Sequence, residues 1–340
     1  MSSAHQLRTA LAGAAIVVTA LLAGCAQEPP PAPPKPTAPP MALSSSLIEQ
    51  ASAYRGYVRR AAAINPAFKS GADVAQSLKT GEAYEPKQFL RGAIAYGAVA
   101  ALQDQTFVSG LRTAAADPQQ RQAMTAQIMR NPNYVTTLPG ADRAAGLVVA
   151  ALGEEGRELY GVGKAVKQAA YDVQHQKWSK ADVANRPGRL AEAKSLSASP
   201  LTGDLDESNR LQQAALGAAP LGITGQPKAP PVSPVVARAM SVAALAALGQ
   251  AGDANVEQVS GLMVDPASAS CLNMSKLNLF QCLAVSKPHY EDVFCLGQHV
   301  LMDTGQCLAK SAGLATAEGY KPVEVAETTP AEPSKSARAR

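Results

Sequence analysis

The densest run of functional side chains in this sequence is Tyr171-Asp172-Val173-Gln174-His175-Gln176-Lys177-Trp178, which holds the single Trp of the chain. On a helix Tyr171 and His175 share a face, as do His175 and Trp178, so Tyr171, Asp172, His175 and Trp178 form a candidate binding patch. A structural role competes with this reading. Trp178 would anchor a core and His175 would be hydrogen-bonded beside it, because single aromatics in helical proteins mostly serve packing. A second group, His289-Tyr290-Glu291-Asp292 with His299 further on, carries metal-capable side chains, but only the His289/Asp292 and Asp292/His299 spacings face one another on a helix. Pro288 suits a first helical turn, where Glu291 and Asp292 meet the positive end of the helix dipole, and that accounts for both acids. Asp303-Thr304-Gly305 reads as a turn that ends a helix. The sequence carries no nucleophile elbow, paired-His zinc motif, phosphate loop, dinucleotide-binding glycine pattern or Ser-x-x-Lys acylation motif. Catalytic residues, metal ligands and cofactors are therefore expected to be none, and catalysis would need a dispersed site.

The first 24 residues place Arg8 ahead of an apolar run from Leu11 to Leu22, too short to span a bilayer, and end in Ala23-Gly24 before Cys25. Leu22-Ala23-Gly24-Cys25 resembles the lipobox of bacterial lipoproteins, and the resemblance covers the leader alone. It implies that residues 1–24 are a signal peptide and that Cys25 begins the mature chain, carrying a diacylglycerol on sulfur and a fatty acyl chain such as palmitate on its amine. Ala26, where an Asp would retain such a protein in the inner membrane, implies the outer membrane and its periplasmic face. Acyl chains contribute about 0.8 kcal/mol per buried CH₂, so the membrane is an expected partner through the anchor while the body stays outside the bilayer. Glu28 to Pro40 is mostly Pro, has too few backbone donors for regular structure and predicts an extended spacer of about 3.1 Å per residue, making 25–43 a lipidated linker.

With Cys25 acylated, four of the five Cys remain, all within 271–307, an even number in an oxidising compartment. None of them sits at the two-to-four-residue spacing of structural zinc sites, which favours disulfides over a metal. Cys271-Leu272 with Gln281-Cys282-Leu283-Ala284, and Cys295-Leu296 with Gln306-Cys307-Leu308-Ala309, form a short internal repeat. The repeat predicts pairing of neighbours, Cys271 with Cys282 and Cys295 with Cys307, with bends at Asn273-Met274-Ser275 and Asp303-Thr304-Gly305. A continuous helix through either unit would forbid this by holding the two Cys roughly 16–18 Å apart. Two antiparallel helices would then join Cys271 to Cys307 and Cys282 to Cys295, similar to twin Cys-x₉-Cys hairpins.

Helix signals dominate the rest. Ser46-x-x-Glu49 has capping-box spacing ahead of the stripe Leu47, Ala51, Tyr54, Val58. Pro86 suits a first turn, and Asp117-Pro118 pairs an N-cap with an N1 proline on a helix ending at Asn131-Pro132. A longer helical region from about Asp142 to Gln176 contains Gly153, Gly156, Gly161 and Gly163 as break or close-packing points, and Pro187-Gly188 interrupts the next start. These signals predict an all-α fold: an irregular helical bundle over 44–216, a Pro/Gly-rich linker at 217–234, and a small disulfide-stapled helical subdomain over 235–315. The tail, 316–340, has almost no large apolar residue and is expected to be disordered, as is the N-terminal linker.

At 340 residues, 46% are hydrophobic and only 4% aromatic, which favours small side chains and closely packed helices. A net charge of +4 is too balanced for a basic nucleic-acid-binding face, so no nucleic-acid partner is expected. The functional expectation is a lipid-anchored, periplasm-facing envelope protein acting as a non-catalytic helical interaction or scaffold module, with a periplasmic protein or the cell wall as partner. The alternative is a periplasmic or cell-wall-acting enzyme with a dispersed site where Tyr171–Trp178 meets His289–His299.

Overall fold

The computed structural model describes residues 39–225 and 232–318. Cys25 with its leader, most of the Pro-rich linker, part of the 217–234 segment and the tail from 319 lie outside the described residues. Within them are thirteen α-helices and no strand: α1 Ser45–Ala62, α2 Gly71–Glu82, α3 Pro86–Ala101, α4 Gln105–Ala114, α5 Pro118–Arg130, α6 Ala141–Val173, α7 Arg186–Leu196, α8 Leu205–Ala215, α9 Pro234–Ala247, α10 Val256–Ser260, α11 Pro266–Val285, α12 His289–Cys295 and α13 Asp303–Ser311. The fold is all-α, as the sequence predicts. Capping chemistry sets the starts. Ser44, Ser70, Asp104, Asp117, Asp204, Ser233 and Asp265 each accept a first-turn backbone N–H, and α3, α5, α9 and α11 open on proline. Two local expectations shift: the cap of α1 is Ser44 rather than Ser46, and Pro187 opens α7 behind an Asn185 cap instead of interrupting a helix.

Helices α3 and α9 are buried on nearly every face and form the centre, with α1 and α6 against α3. Since α9 lies beyond the 217–234 segment yet shares this core, that segment connects parts of one compact unit rather than two domains. The packed body also begins before residue 44. Leu43 is buried, and the N–H groups of Ala42 and Ser44 donate to the carbonyls of Ala246 (3.0 Å), in the last turn of α9, and Ala251 (2.8 Å), just beyond it.

The glycines of α6 serve close approach, not breakage: the helix runs 33 residues without interruption. Chain from α12 onward is also continuously helical, through a π-helical segment, Leu296–Met302, into α13, so Asp303-Thr304-Gly305 is a first turn and not a helix end. This rod lies on α6 with Gly297 and Gly305 against Gly163 and Gly156. A Cβ added to Gly305 would meet the Gly156 carbonyl oxygen at 2.6 Å, and one on Gly297 the Lys167 backbone nitrogen at 2.4 Å.

Because α11 is one helix from Pro266 to Val285, Cys271 and Cys282 stand three turns apart and cannot bond. The disulfides are Cys271–Cys307 and Cys282–Cys295, with Cα–Cα distances of 5.7 and 5.8 Å. The expected neighbour pairs, Cys271–Cys282 and Cys295–Cys307, are therefore corrected. Nothing bends α11 at Asn273-Met274-Ser275: Asn273 faces solvent, and buried Ser275 donates to the His299 carbonyl at 2.6 Å.

Candidate ligand-binding site

The structure brings the two sequence-predicted segments together but not as a reactive constellation. The Trp178 ring lies 6.4 Å from the His289 ring, and Tyr171 meets Phe294 edge-on at 6.5 Å. Trp178 is half-buried with its indole N–H on Gln176 Oε1 (2.5 Å), Asp172 accepts from Gln168 (3.0 Å), and His175 is exposed. His299, on the π-helical segment, lies edge-on 6.5 Å from the same Phe294 ring, with its Nδ1 2.9 Å from Asp303 Oδ2. Among the described residues no group of three or more His, Cys, Asp or Glu side chains could hold a metal ion.

His289 instead leads to a cavity of about 430 Å³ between α2, α7 and α12. Its imidazole lies over Gly71, where a Cβ would come within 2.4 Å of the ring. Helix α7 supplies two arginines at i and i+3. Arg186 and Arg189 reach the carbonyls that end α11: Arg186 bonds Ser286 (2.7 Å) and Ala284 (2.9 Å), and Arg189 bonds Leu283. Cations there answer the negative end of the helix. Arg189 also pairs with buried Asp292, which accepts from Ser286 Oγ at 2.8 Å. At the rim Lys79 and Glu192 form a 2.7 Å ion pair, both side chains about half exposed.

Glu82, the last residue of α2, differs from all of these. It lines the cavity at 3% exposure, and its Oε2 is buried without a hydrogen-bond partner. The nearby cation, Lys276 of α11, is buried and forms no ion pair with the carboxyl. Its Nζ donates to the Glu82 backbone oxygen at 2.5 Å and lies 3.5 Å from the centre of the Tyr84 ring. Burial pushes the Glu82 carboxyl up to about 8, with Glu192 and Asp292 adding to the rise and Lys276 and Lys79 opposing it. Burial likewise holds the Lys276 ammonium well below its ordinary value, against the pull of Glu82 and Glu85.

A contrasting buried acid shows what a satisfied one looks like. Glu155 of α6, beside a cavity of about 380 Å³, accepts from Tyr54 and Arg55, while Arg55 stacks 4.9 Å from the Tyr96 ring centre. Burial raises Glu155 too, but its oxygens are taken. Among the described residues, Glu82 alone is a cavity-lining acid with a buried oxygen that has no hydrogen-bond partner. Sequence reasoning missed Glu82, Lys276 and Arg189, and weighed Asp292 as metal-capable before accounting for it as a first-turn carboxylate. One signal was available: Lys276 falls on the apolar stripe Leu272, Leu279, Leu283 of α11, where a charge must find a partner.

Comparisons of the chain with protein-family models, with curated proteins and with solved structures each found no match. What fold and site define is a class: an all-α, disulfide-stapled body with an acidic internal cavity.

Proposed function

We propose that the chain is a lipid-anchored envelope protein facing the periplasm, whose helical body is a non-catalytic interaction module that takes its ligand in the cavity between α2, α7 and α12. The observation that carries the reading is the Glu82 side chain, buried and lining the cavity, with no hydrogen-bond partner at Oε2. A buried polar group left this way costs about 1–3 kcal/mol. The two disulfides support an oxidising compartment, and the lipobox-like leader supports the anchor. No helix of the described residues is long and apolar enough to cross a membrane.

Two variants test this. Cys25→Ser is expected to move the protein from the membrane fraction to an unprocessed or soluble form, because the acyl chains supply the attachment. A photocrosslinking residue in place of Val183, on the cavity wall, is expected to trap an envelope component in cells, and Ala75→Trp, placed to block the cavity, to abolish the adduct. Retention of Cys25→Ser with the outer membrane at high salt would overturn the anchor. Crosslinks indifferent to Ala75→Trp would overturn the cavity.

The enzyme reading keeps one observation, the approach of Trp178 to His289 beside an acid that holds its proton near neutral pH. It requires Glu82→Gln to abolish turnover of a bound ligand without abolishing binding, whereas the binding module requires loss of binding itself.

A further inference from the structure

Three acids and two cations line the cavity, and all but Glu82 are in ion pairs within the protein, although the enclosed Arg189 Nε also has no hydrogen-bond partner. Lys79 is held by Glu192 at 2.7 Å and Arg189 by Asp292, while His289 is seated on Gly71. Lys276, behind the wall on α11, spends its ammonium on a backbone oxygen and the Tyr84 ring. The remaining group is the Glu82 carboxyl, which is in no ion pair and whose Oε2 has no hydrogen-bond partner. Ala75, Leu78, Val183 and Ala184 supply apolar wall beside it.

We propose that the cavity binds the ammonium end of a small aliphatic primary amine, with Glu82 as its carboxylate partner and the apolar wall along its methylene chain; this rests on the binding reading above. A compact ammonium suits the site better than a guanidinium. A planar fork needs both carboxylate oxygens along one open edge, and here Oε2 is enclosed. A carboxylate ligand would face Glu82, Glu192 and Asp292 while both cations at the cavity are already paired. A neutral alcohol could donate a hydrogen bond but would leave the carboxyl without a countercharge.

Binding should also be linked to protons. Burial keeps Glu82 protonated through neutral pH, and an ammonium beside it favours the ionised form. Groups facing Glu82 from α2 (Lys79), α7 (Arg189, Glu192), α11 (Lys276) and α12 (His289, Asp292) contribute a mixed field, in which the ligand supplies the new positive charge. Affinity should therefore rise as pH rises toward 8, by up to about tenfold per pH unit.

The test is an NMR titration of the full chain with n-butylammonium, butyrate, n-butanol and n-butylguanidinium, read at the resonances of Leu78, Val183 and His289. The expected result is saturable binding of n-butylammonium ahead of the other three, tighter at pH 7.5 than at 6.5, and weakened at least tenfold by Glu82→Gln. The wild-type pH series stands without the variant if Glu82→Gln does not fold. Butyrate, butanol or butylguanidinium binding as well as the ammonium, or ammonium binding that is flat with pH, overturns the ligand class and leaves the cavity reading standing. Shifts at none of these residues with any of the four probes overturns both.

Discussion

Gly297→Ala is expected to destabilise the protein by on the order of 3 kcal/mol or more, at the upper end for overpacking a well-filled interior. The added methyl would sit 2.4 Å from the Lys167 backbone nitrogen, 2.8 Å from Lys167 Cα and 2.9 Å from the Gly163 carbonyl oxygen. All three are atoms of the α6 backbone, so no side chain can rotate away. The π-helical segment must lift off α6, and the neighbouring contact of Gly305 with Gly156 would be strained with it. Gly161→Ala, on the same long helix with nothing within 4 Å of the new methyl, is the control. There the substitution removes only backbone freedom, and stability should rise by about 0.5–1 kcal/mol. Equilibrium denaturation of the two variants checks the prediction, and equal effects would contradict the close-packed interface.

Removing the disulfides is the second large perturbation. Cys271–Cys307 closes a separation of 36 residues and Cys282–Cys295 one of 13. In the chain-entropy model these correspond to about 4 and about 3 kcal/mol, so the double Ala variant at 271 and 307 should be the less stable of the two. Each bond also ties α11 to the rod formed by α12, the π-helical segment and α13, which the backbone otherwise joins only through residues 286–288. Denaturation under non-reducing conditions measures the costs. Peptide mapping of unreduced protein should recover 271 linked to 307 and 282 linked to 295, and the neighbour pairs would refute the hairpin.

The fold class was legible because caps and prolines act locally. Asp117-Pro118 and Pro86 each specify a helix start within a few residues, whatever surrounds them, whereas Ser233-Pro234, read as linker, caps and opens α9. Tertiary roles were not legible in the same way. Gly156 and Gly163 look alike whether a helix breaks or another backbone lies against it, and only Gly297 and Gly305, more than a hundred residues away, decide between the two. The Cys-Leu…Gln-Cys-Leu-Ala repeat suggested two closed loops, yet it arises from two helical segments lying side by side. The absence of a helix breaker between Cys271 and Cys282 was the better guide. At the site, the Tyr171–Trp178 run drew notice by its density of polar groups, while Glu82 carries no local signature. Its burial depends on α7, α11 and α12 closing over the end of α2. Lys276 was the exception, a charge on an apolar stripe.

The central claim is that Glu82 is a buried, unmatched acid at a cavity, and the most direct measurement is the pH titration of its side-chain carboxyl carbon by NMR in the full chain. The account predicts a midpoint of about 8, far above the ordinary 4.5. The sign of the linked stability follows. The folded protein holds a proton there that the unfolded chain releases, so the stabilisation is complete below about pH 4.5 and is lost as pH rises through 8, a dependence Glu82→Gln should remove. With n-butylammonium present the midpoint should fall. A Glu82 carboxyl that titrates in the ordinary carboxylate range, with or without the amine, would mean that it is solvated or paired and would contradict the account.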